Sequence, residues 1–454
     1  MSLGPIQEET FYMSEPVAAK HGLLSSTQKK IQVQPGELRA LLLSFGYFFF
    51  VLACYYVLRP VRDEMGVRGG VKNLPWLFTA TFLVSLAIAP LYAAVVARWR
   101  RKTFIPLVYG FLALNMVAFW AMLTGGIAAE QTAMVFFVWL SVFNVFAVSV
   151  FWSFMADVFS SEQAKRLYPT IAAGGSLGGF TGSATVTGLA RVIGPAHLLL
   201  VAAALLMLAL ACAMWLDQSA PKTPEPAQHA APDPERMGGD FLAGLTLLAR
   251  SRYLSGIALW VFLLSLGGTF AYNMQADILS RAQLDSATRT QIFGAVDLAT
   301  NILNPLLQLT LARWVLQRAG VGLALGVIAA VFTLGFVAMS TAPMLSVLIA
   351  FMIAQRTGQF AISNPARETL FTVVGREEKY KAKNVIDNAV FRGSDVAAVW
   401  LFNLLHAGAG LGLAAISLIA APAMALWFGL SLALGRAENR QAAAHSSAEK
   451  GDPI

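Results

Sequence analysis

Polar and charged side chains recur at helical spacing inside otherwise apolar stretches, and their types define what they can do. Tyr55, Arg59 and Arg62 stand at i, i+4 and i+7, and Asp297, Asn301, Asn304 and Gln308 continue that spacing over three turns. Arg356, Gln359, Ser363 and Arg367 form a third such set, and Asn388, Arg392 and Asp395 a fourth. Each set lies on one face of a helix. Arginine stays charged and presents a planar fork of donors suited to phosphate or carboxylate oxygens. The chemistry predicted is non-covalent capture of an anion. Asp297 and Asp395 are acids that can carry a proton or pair with an arginine. No HExxH, paired CxxC or Ser-His-Asp arrangement stands out, so the chain does not read as an enzyme and calls for no metal or cofactor.

The elements that position these faces follow from composition. Of 454 residues, 57% are hydrophobic and 13% charged. Soluble chains carry about 25% charged residues, so charge is at half its usual level. Such a chain cannot hide its apolar surface as a soluble domain, and it reads as an all-α polytopic membrane protein. Stretches of roughly 20 apolar residues mark transmembrane helices. Twelve qualify: 38–58, 75–97, 104–124, 133–157, 169–192, 196–216, 254–275, 290–312, 321–341, 344–364, 385–406 and 411–434. The eighth and eleventh are the least apolar. Ionisable residues inside such spans are costly and face a cavity or a partner. Four polar faces on four helices therefore predict one wet central chamber. The third, sixth, ninth and twelfth spans carry no interior charge and are expected to face lipid.

The Pro- and Ala-rich stretch 217–240 cannot bury a core and reads as a linker. It divides the chain into a tail at 1–37, a six-helix bundle at 38–216, a linker at 217–250, a second bundle at 251–435 and a tail at 436–454. Lysines and arginines collect in alternate loops, among them Arg98 to Lys102, Lys165, Arg166 and Arg376 to Lys383. This bias predicts both termini in the cytoplasm. No cleavable signal is expected, since the first apolar run begins only near Leu38. Cys54 and Cys212 lie within apolar runs and read as core residues.

Ala97–Trp99 recurs as Ala312–Trp314, an offset that also maps Glu162 onto Glu377 and Arg166 onto Lys381; Tyr56 and Tyr272 are separated by nearly the same interval. The chain is thus expected to hold two parallel six-helix repeats, the arrangement of major facilitator transporters, whose substrate site lies between the halves near the midplane. The basic loops after the second and eighth spans loosely resemble that superfamily's basic loop motif.

Several features carry a plainer reading. Arg392 and Asp395 read equally as an internal ion pair. Arg59, Arg62, Asp63 and Glu64 read equally as a self-neutralising cap at a helix end. Asp297 could be a proton carrier or a hydrogen-bond partner for a neighbouring span. Gly174, Gly178 and Gly182, four residues apart, lack the features of a phosphate loop and form a flat face for close helix packing.

Three stretches resemble the ATP/ADP translocases of plastids and intracellular bacteria: Leu58–Asp63 (LRPVRD), Gln163–Pro169 (QAKRLYP) and Lys381–Arg392 (KAKNVIDNAVFR). The resemblance implies a major-facilitator-type fold in a bacterial inner membrane that exchanges nucleotides such as ATP and ADP. It carries over Arg59, Arg62, Asp63, Lys381, Lys383, Asp387 and Arg392. Pro60 stands where that family has an acid, Arg62 where it has lysine, and Asp395 near a position it keeps basic. The expectation is a secondary transporter of an anionic, phosphorylated solute working by alternating access. Its substrate-binding residues are expected to be Arg59, Arg62, Arg356, Lys383, Arg392, Asp297, Asn301 and Tyr55, with Asp63, Asp387 and Asp395 in coupling or gating. A proton-coupled carrier of another organic anion or drug-like compound, and a non-transporting membrane sensor, are the alternatives. No nucleic-acid partner is expected.

Overall fold

A computed structural model describes residues 33–34, 36–98, 101–219, 244–312 and 314–450. Most of the N-terminal tail and linker, together with Trp99 and Arg313 of the repeated tripeptides and Arg100 beside the first, lie outside the described residues. Every predicted span is a helix. They are α1 (Glu37–Arg68), α2 (Leu74–Arg98), α3 (Arg101–Thr124), α4 (Ala129–Val158), α5 (Ser161–Ile193) and α6 (Pro195–Ser219), then α7 (Arg252–Arg281). α8 runs over Ser286–Leu307 and continues in π-helical form over Gln308–Ala312 and Val315–Ala319. α9 is Gly320–Thr341. α10 comprises Leu345–Gly358, a π segment Gln359–Ser363 and Asn364–Thr369. α11 comprises Arg376–Asn384, a π segment Val385–Val390, Phe391–Asn403 and a π segment Leu404–Gly408; α12 is Leu413–Lys450. No strand occurs among the described residues.

Local chemistry sets the helix starts. Ser160 caps α5 in a reciprocal pair with Gln163, each side chain taking the other's backbone N–H. Ser251 and Asp285 cap α7 and α8 by accepting from Leu254 and Thr288 N–H groups. Gly194, at φ 80°, supplies the left-handed turn between α5 and α6.

Three expectations need correction. The first span does not stop at residue 58: α1 continues through Pro60 to Arg68, so Arg59–Glu64 lie inside a helix instead of capping one. Proline inside a membrane helix is tolerated where neighbouring helices receive the freed backbone. The last span likewise continues through the predicted tail to Lys450. Among the described residues, ten of the helices are long and apolar enough to cross a membrane; the two that fall short are α5 and α11, whereas α8 passes with the lowest mean hydropathy of the ten, 1.2.

α5 falls short because its packing face is glycine and serine. A Cβ built on Gly174, Gly178 or Gly182 would sit 2.6, 2.2 or 2.5 Å from the carbonyl oxygens of Phe45, Phe49 and Ala53 on α1. Only hydrogen fits there, so the backbones of α1 and α5 touch, as the four-residue glycine spacing predicts. At the end where the chain begins, Glu37 of α1 receives both Arg166 Nη1 (3.1 Å) and Nη2 (2.9 Å) of α5, and Gln163 Nε2 at 3.0 Å. The QAKR stretch thus ties α5 to the start of α1.

One buried apolar cluster is drawn from residues between Leu41 and Leu216, a second from residues between Leu248 and Leu434. A third, smaller cluster joins the halves: Val67, Leu74, Leu77 and Phe137 meet Ala276, Leu279, Phe293 and Val399. Leu107, Phe111 and Leu114 of α3, Leu208 and Trp215 of α6, Leu334 and Val337 of α9, and Leu418 and Leu426 of α12 are exposed. α2, α5 and α8 also expose large apolar residues, among them Leu83, Phe180 and Leu309, so apolar exposure is not confined to the four helices expected against lipid.

Candidate functional site

The halves meet toward one end of the bundle. Call the end where α1 starts the tail end and the opposite one the far end. α1 and α7 run from tail to far; α2 and α8 return. At the far end Glu64 of α1 accepts Arg289 Nε and Nη2 of α8, each at 2.7 Å, a bidentate pair across the halves with the Glu64 side chain fully buried. Trp76 of α2 meets Trp400 of α11 edge to face at 5.1 Å, and Trp400 Nε1 donates to Thr79 Oγ1 at 3.1 Å. The third apolar cluster surrounds these contacts. Deeper in, Asn301 Nδ2 of α8 donates to Ser183 Oγ of α5 at 2.9 Å. Toward the tail end the halves part. Gln308, Leu309, Thr310 and Leu311, in the π-helical continuation of α8, are four successive exposed residues spanning most of one wide turn.

Between these regions lies a cluster of charged side chains drawn from both halves. Arg356 of α10, nearly buried, donates Nη1 to Asp297 Oδ1 of α8 at 2.6 Å. Arg59 of α1, from the other half, pairs with the same oxygen at 3.4 Å. Asp297 is 2% exposed, and its second oxygen, Oδ2, is buried with no hydrogen-bond partner among the described residues. Two guanidiniums from opposite halves thus converge on one carboxylate oxygen. The Tyr56 ring lies 5.9 Å from the Arg59 guanidinium, edge to face with Tyr55. One turn along α1, Arg62 donates Nη2 to its neighbour Asp63 at 2.7 Å and stands 5.0 Å from the Phe137 ring. Tyr272 of α7 donates to Asp63 at 3.4 Å. Tyr56 and Tyr272, spaced like the internal repeat, therefore each serve an arginine–aspartate group.

On α11, Asp395 accepts Ser265 Oγ at 2.5 Å and Thr269 Oγ1 at 3.0 Å, both from α7. This corrects the expected Arg392–Asp395 pair: the hydroxyls hold the carboxylate, and the half-buried Arg392 makes no ion pair among the described residues, though it lies within electrostatic reach of Asp395. Arg62 is within the same reach of Asp395 from the other half.

Of the predicted site residues, the structure brings Arg59, Asp297 and Arg356 into direct contact, with Tyr55, Arg62, Asp63, Arg392 and Asp395 around them and Asn301 one turn along α8. Lys383 and Asp387 are elsewhere. Lys383 pairs with Glu368 and lies 5.7 Å from the Phe371 ring, while Arg367 pairs with both Glu368 and Asp387 at 3.2 Å. Arg392 follows Lys383 by nine residues, which sets this second cluster about 13 Å toward the tail end. Sequence reasoning missed Arg289 as the partner of Glu64, and Ser265 and Thr269 as the ligands of Asp395. The last two have a signal, an i, i+4 hydroxyl pair in an apolar span.

No protein-family model matches the sequence, and no curated protein matches it. Solved structures do. An auto-inhibited POT family peptide transporter superposes with a TM-score of 0.58 at 15% identity, covering 88% of this chain and 97% of that one. The nucleoside transporter NupG gives 0.57 at 14%, covering 90% and 99%. A bacterial homologue of the human lysosomal transporter Spinster, in an inward-facing and unoccupied conformation, gives 0.51 at 13%, covering 90% and 98%. The chain has the all-α membrane fold of these proteins, of the major facilitator type.

Proposed function

We propose that the protein is a secondary transporter of an anionic, phosphorylated or carboxylated solute, working by alternating access from a bacterial inner membrane with both termini cytoplasmic. The observation that carries this reading is the convergence of Arg59 and Arg356, one from each half, on Asp297 at the middle of the chain's two bundles. An anion held by both arginines ties the halves together at the site, so its binding is coupled to their relative position. The far-end closure by Glu64 and Arg289, with the halves parted at the tail end, is the geometry of one terminal state of such a cycle. The neighbours titled as peptide and nucleoside transporters support small-solute transport on this fold. The resemblance to ATP/ADP translocases makes nucleotide exchange the first case to test: uptake of labelled ATP that depends on internal ADP in proteoliposomes supports it, and uptake indifferent to internal nucleotide, or no uptake, refutes it.

A second reading is proton-coupled uptake of an organic anion. The buried Oδ2 of Asp297, without a hydrogen-bond partner among the described residues, supports it by placing an acid with a spare acceptor where the two halves meet. Collapse of uptake by a protonophore distinguishes it from exchange.

A further inference from the structure

We infer that the chamber selects a cargo whose binding group carries a single negative charge, and that Asp297 sets this limit. The inference rests on the anion-transport reading and narrows its substrate class.

At the depth of the site the chamber holds Arg59, Arg62, Arg356 and Arg392 against Asp63, Asp297 and Asp395. Four guanidiniums face three carboxylates, a surplus of one positive charge. The charged groups flanking this set balance themselves: Glu64 with Arg289 at the far end, and Arg367 and Lys383 with Glu368 and Asp387 toward the tail end. The surplus also has an address. Arg62 is committed to Asp63, and Asp395 to two hydroxyls. Arg59 and Arg356 share one oxygen of Asp297 through one nitrogen each, and Arg392, within electrostatic reach of Asp395, makes no direct ion pair among the described residues. The donors left over by Arg59 and Arg356 point to an oxyanion seated beside Asp297 and bridging the halves.

In a region of low dielectric, uncompensated charge is expensive. A carboxylate or singly ionised phosphate brings the chamber to neutrality. Each further negative charge is uncompensated and is repelled by Asp297 itself. Among phosphorylated solutes the geometry points to those with one ionised phosphate oxygen, and away from di- and triphosphates.

The test uses the purified full-length chain and two ligand series in which charge rises on a constant scaffold. One is cyclic AMP, AMP, ADP and ATP, spanning roughly one to about four negative charges; the other is lactate, malate and citrate. Binding is read by calorimetry and by the shift in melting temperature. In the wild type, affinity should fall by about tenfold for each added charge in whichever series binds. Asp297→Asn should raise the dianion relative to the monoanion by about tenfold or more, since the surplus grows by one. Arg392→Gln should weaken every anion and keep the preference for low charge, since the surplus falls to zero and every added negative charge is uncompensated. Affinity that rises with charge in the wild type overturns the inference while leaving anion transport standing, and it does so even if the variants fail to fold. An unchanged rank order in a folded Asp297→Asn protein also overturns it. If no member of either series binds the folded wild type, the anion-chamber reading falls and takes this inference with it.

Discussion

Glu64→Gln is the sharpest perturbation of the far-end closure. The wild-type pair is bidentate, with two charge-assisted bonds of 2.7 Å between α1 and α8; Glu64 is fully buried and the Arg289 side chain is 16% exposed. Breaking a buried pair by neutralising one partner costs about 3–5 kcal/mol, because it strands the other charge. Arg289 keeps a bond to the Leu284 carbonyl at 2.7 Å, and glutamine keeps one acceptor, so the lower bound applies. The penalty falls only on the state closed at the far end, since opening there hydrates Arg289. At about 1.4 kcal/mol per factor of ten, roughly 3 kcal/mol moves the equilibrium toward far-end opening by about a hundredfold. The assay replaces Trp76 and Trp400, in ring contact at 5.1 Å, with cysteines in a background lacking Cys54 and Cys212, and measures crosslinking by a short bifunctional reagent. Yield should drop sharply on adding Glu64→Gln, and Arg289→Gln should act in the same direction. Undiminished crosslinking in both variants would refute the assignment of this pair as the closure.

Further outcomes follow from packing and charge. Gly178→Ala should lower the melting temperature measurably, since its Cβ would lie 2.2 Å from the Phe49 carbonyl oxygen and forcing α1 and α5 apart costs about 1–3 kcal/mol, whereas Gly188→Ala, with open space beside it, should be neutral. Arg166→Ala leaves Glu37 without its bidentate partner and should destabilise the N-terminal half, read as a lower denaturation midpoint with little change in the ligand preference of any properly folded fraction. Arg356→Ala should abolish anion uptake while Arg356→Lys retains a fraction of it, because lysine restores the charge but not the fork; equal uptake by both variants would show that Arg356 serves folding alone.

The helices were legible because lipid leaves the chain few options: apolar runs of the right length must satisfy their own backbone groups. The polar faces were legible for a related reason, since Arg59, Asp297 and Arg356 have no tolerable place except a shared interior. What the sequence did not disclose is pairing at a distance. Glu64 and Arg289 are separated by 225 residues, and Arg289, three residues into its helix, looks like any loop cation. Asp395 had a charged neighbour one helical turn away, and proximity in sequence made Arg392 the apparent partner; two hydroxyls on another helix win the contact because they reach the carboxylate directly. The end of α1 was misplaced because a proline and four charged residues signal a helix end in water, yet not in a protein interior where each charge finds a counter-charge.

The π-helical stretches carry a mechanical consequence. Among the described residues they occur only in α8, α10 and α11, all in the second half of the chain. A wider turn loosens the hydrogen-bond ladder and shifts the phase of everything beyond it. Those three helices also bring Asp297, Arg356 and Arg392 to the chamber, while α1, carrying Arg59, is braced along α5 by glycine contacts with no slack. On the transport reading proposed above, this places the adjustable wall of the site in the second half and the fixed wall in the first, like a vice with one articulated jaw.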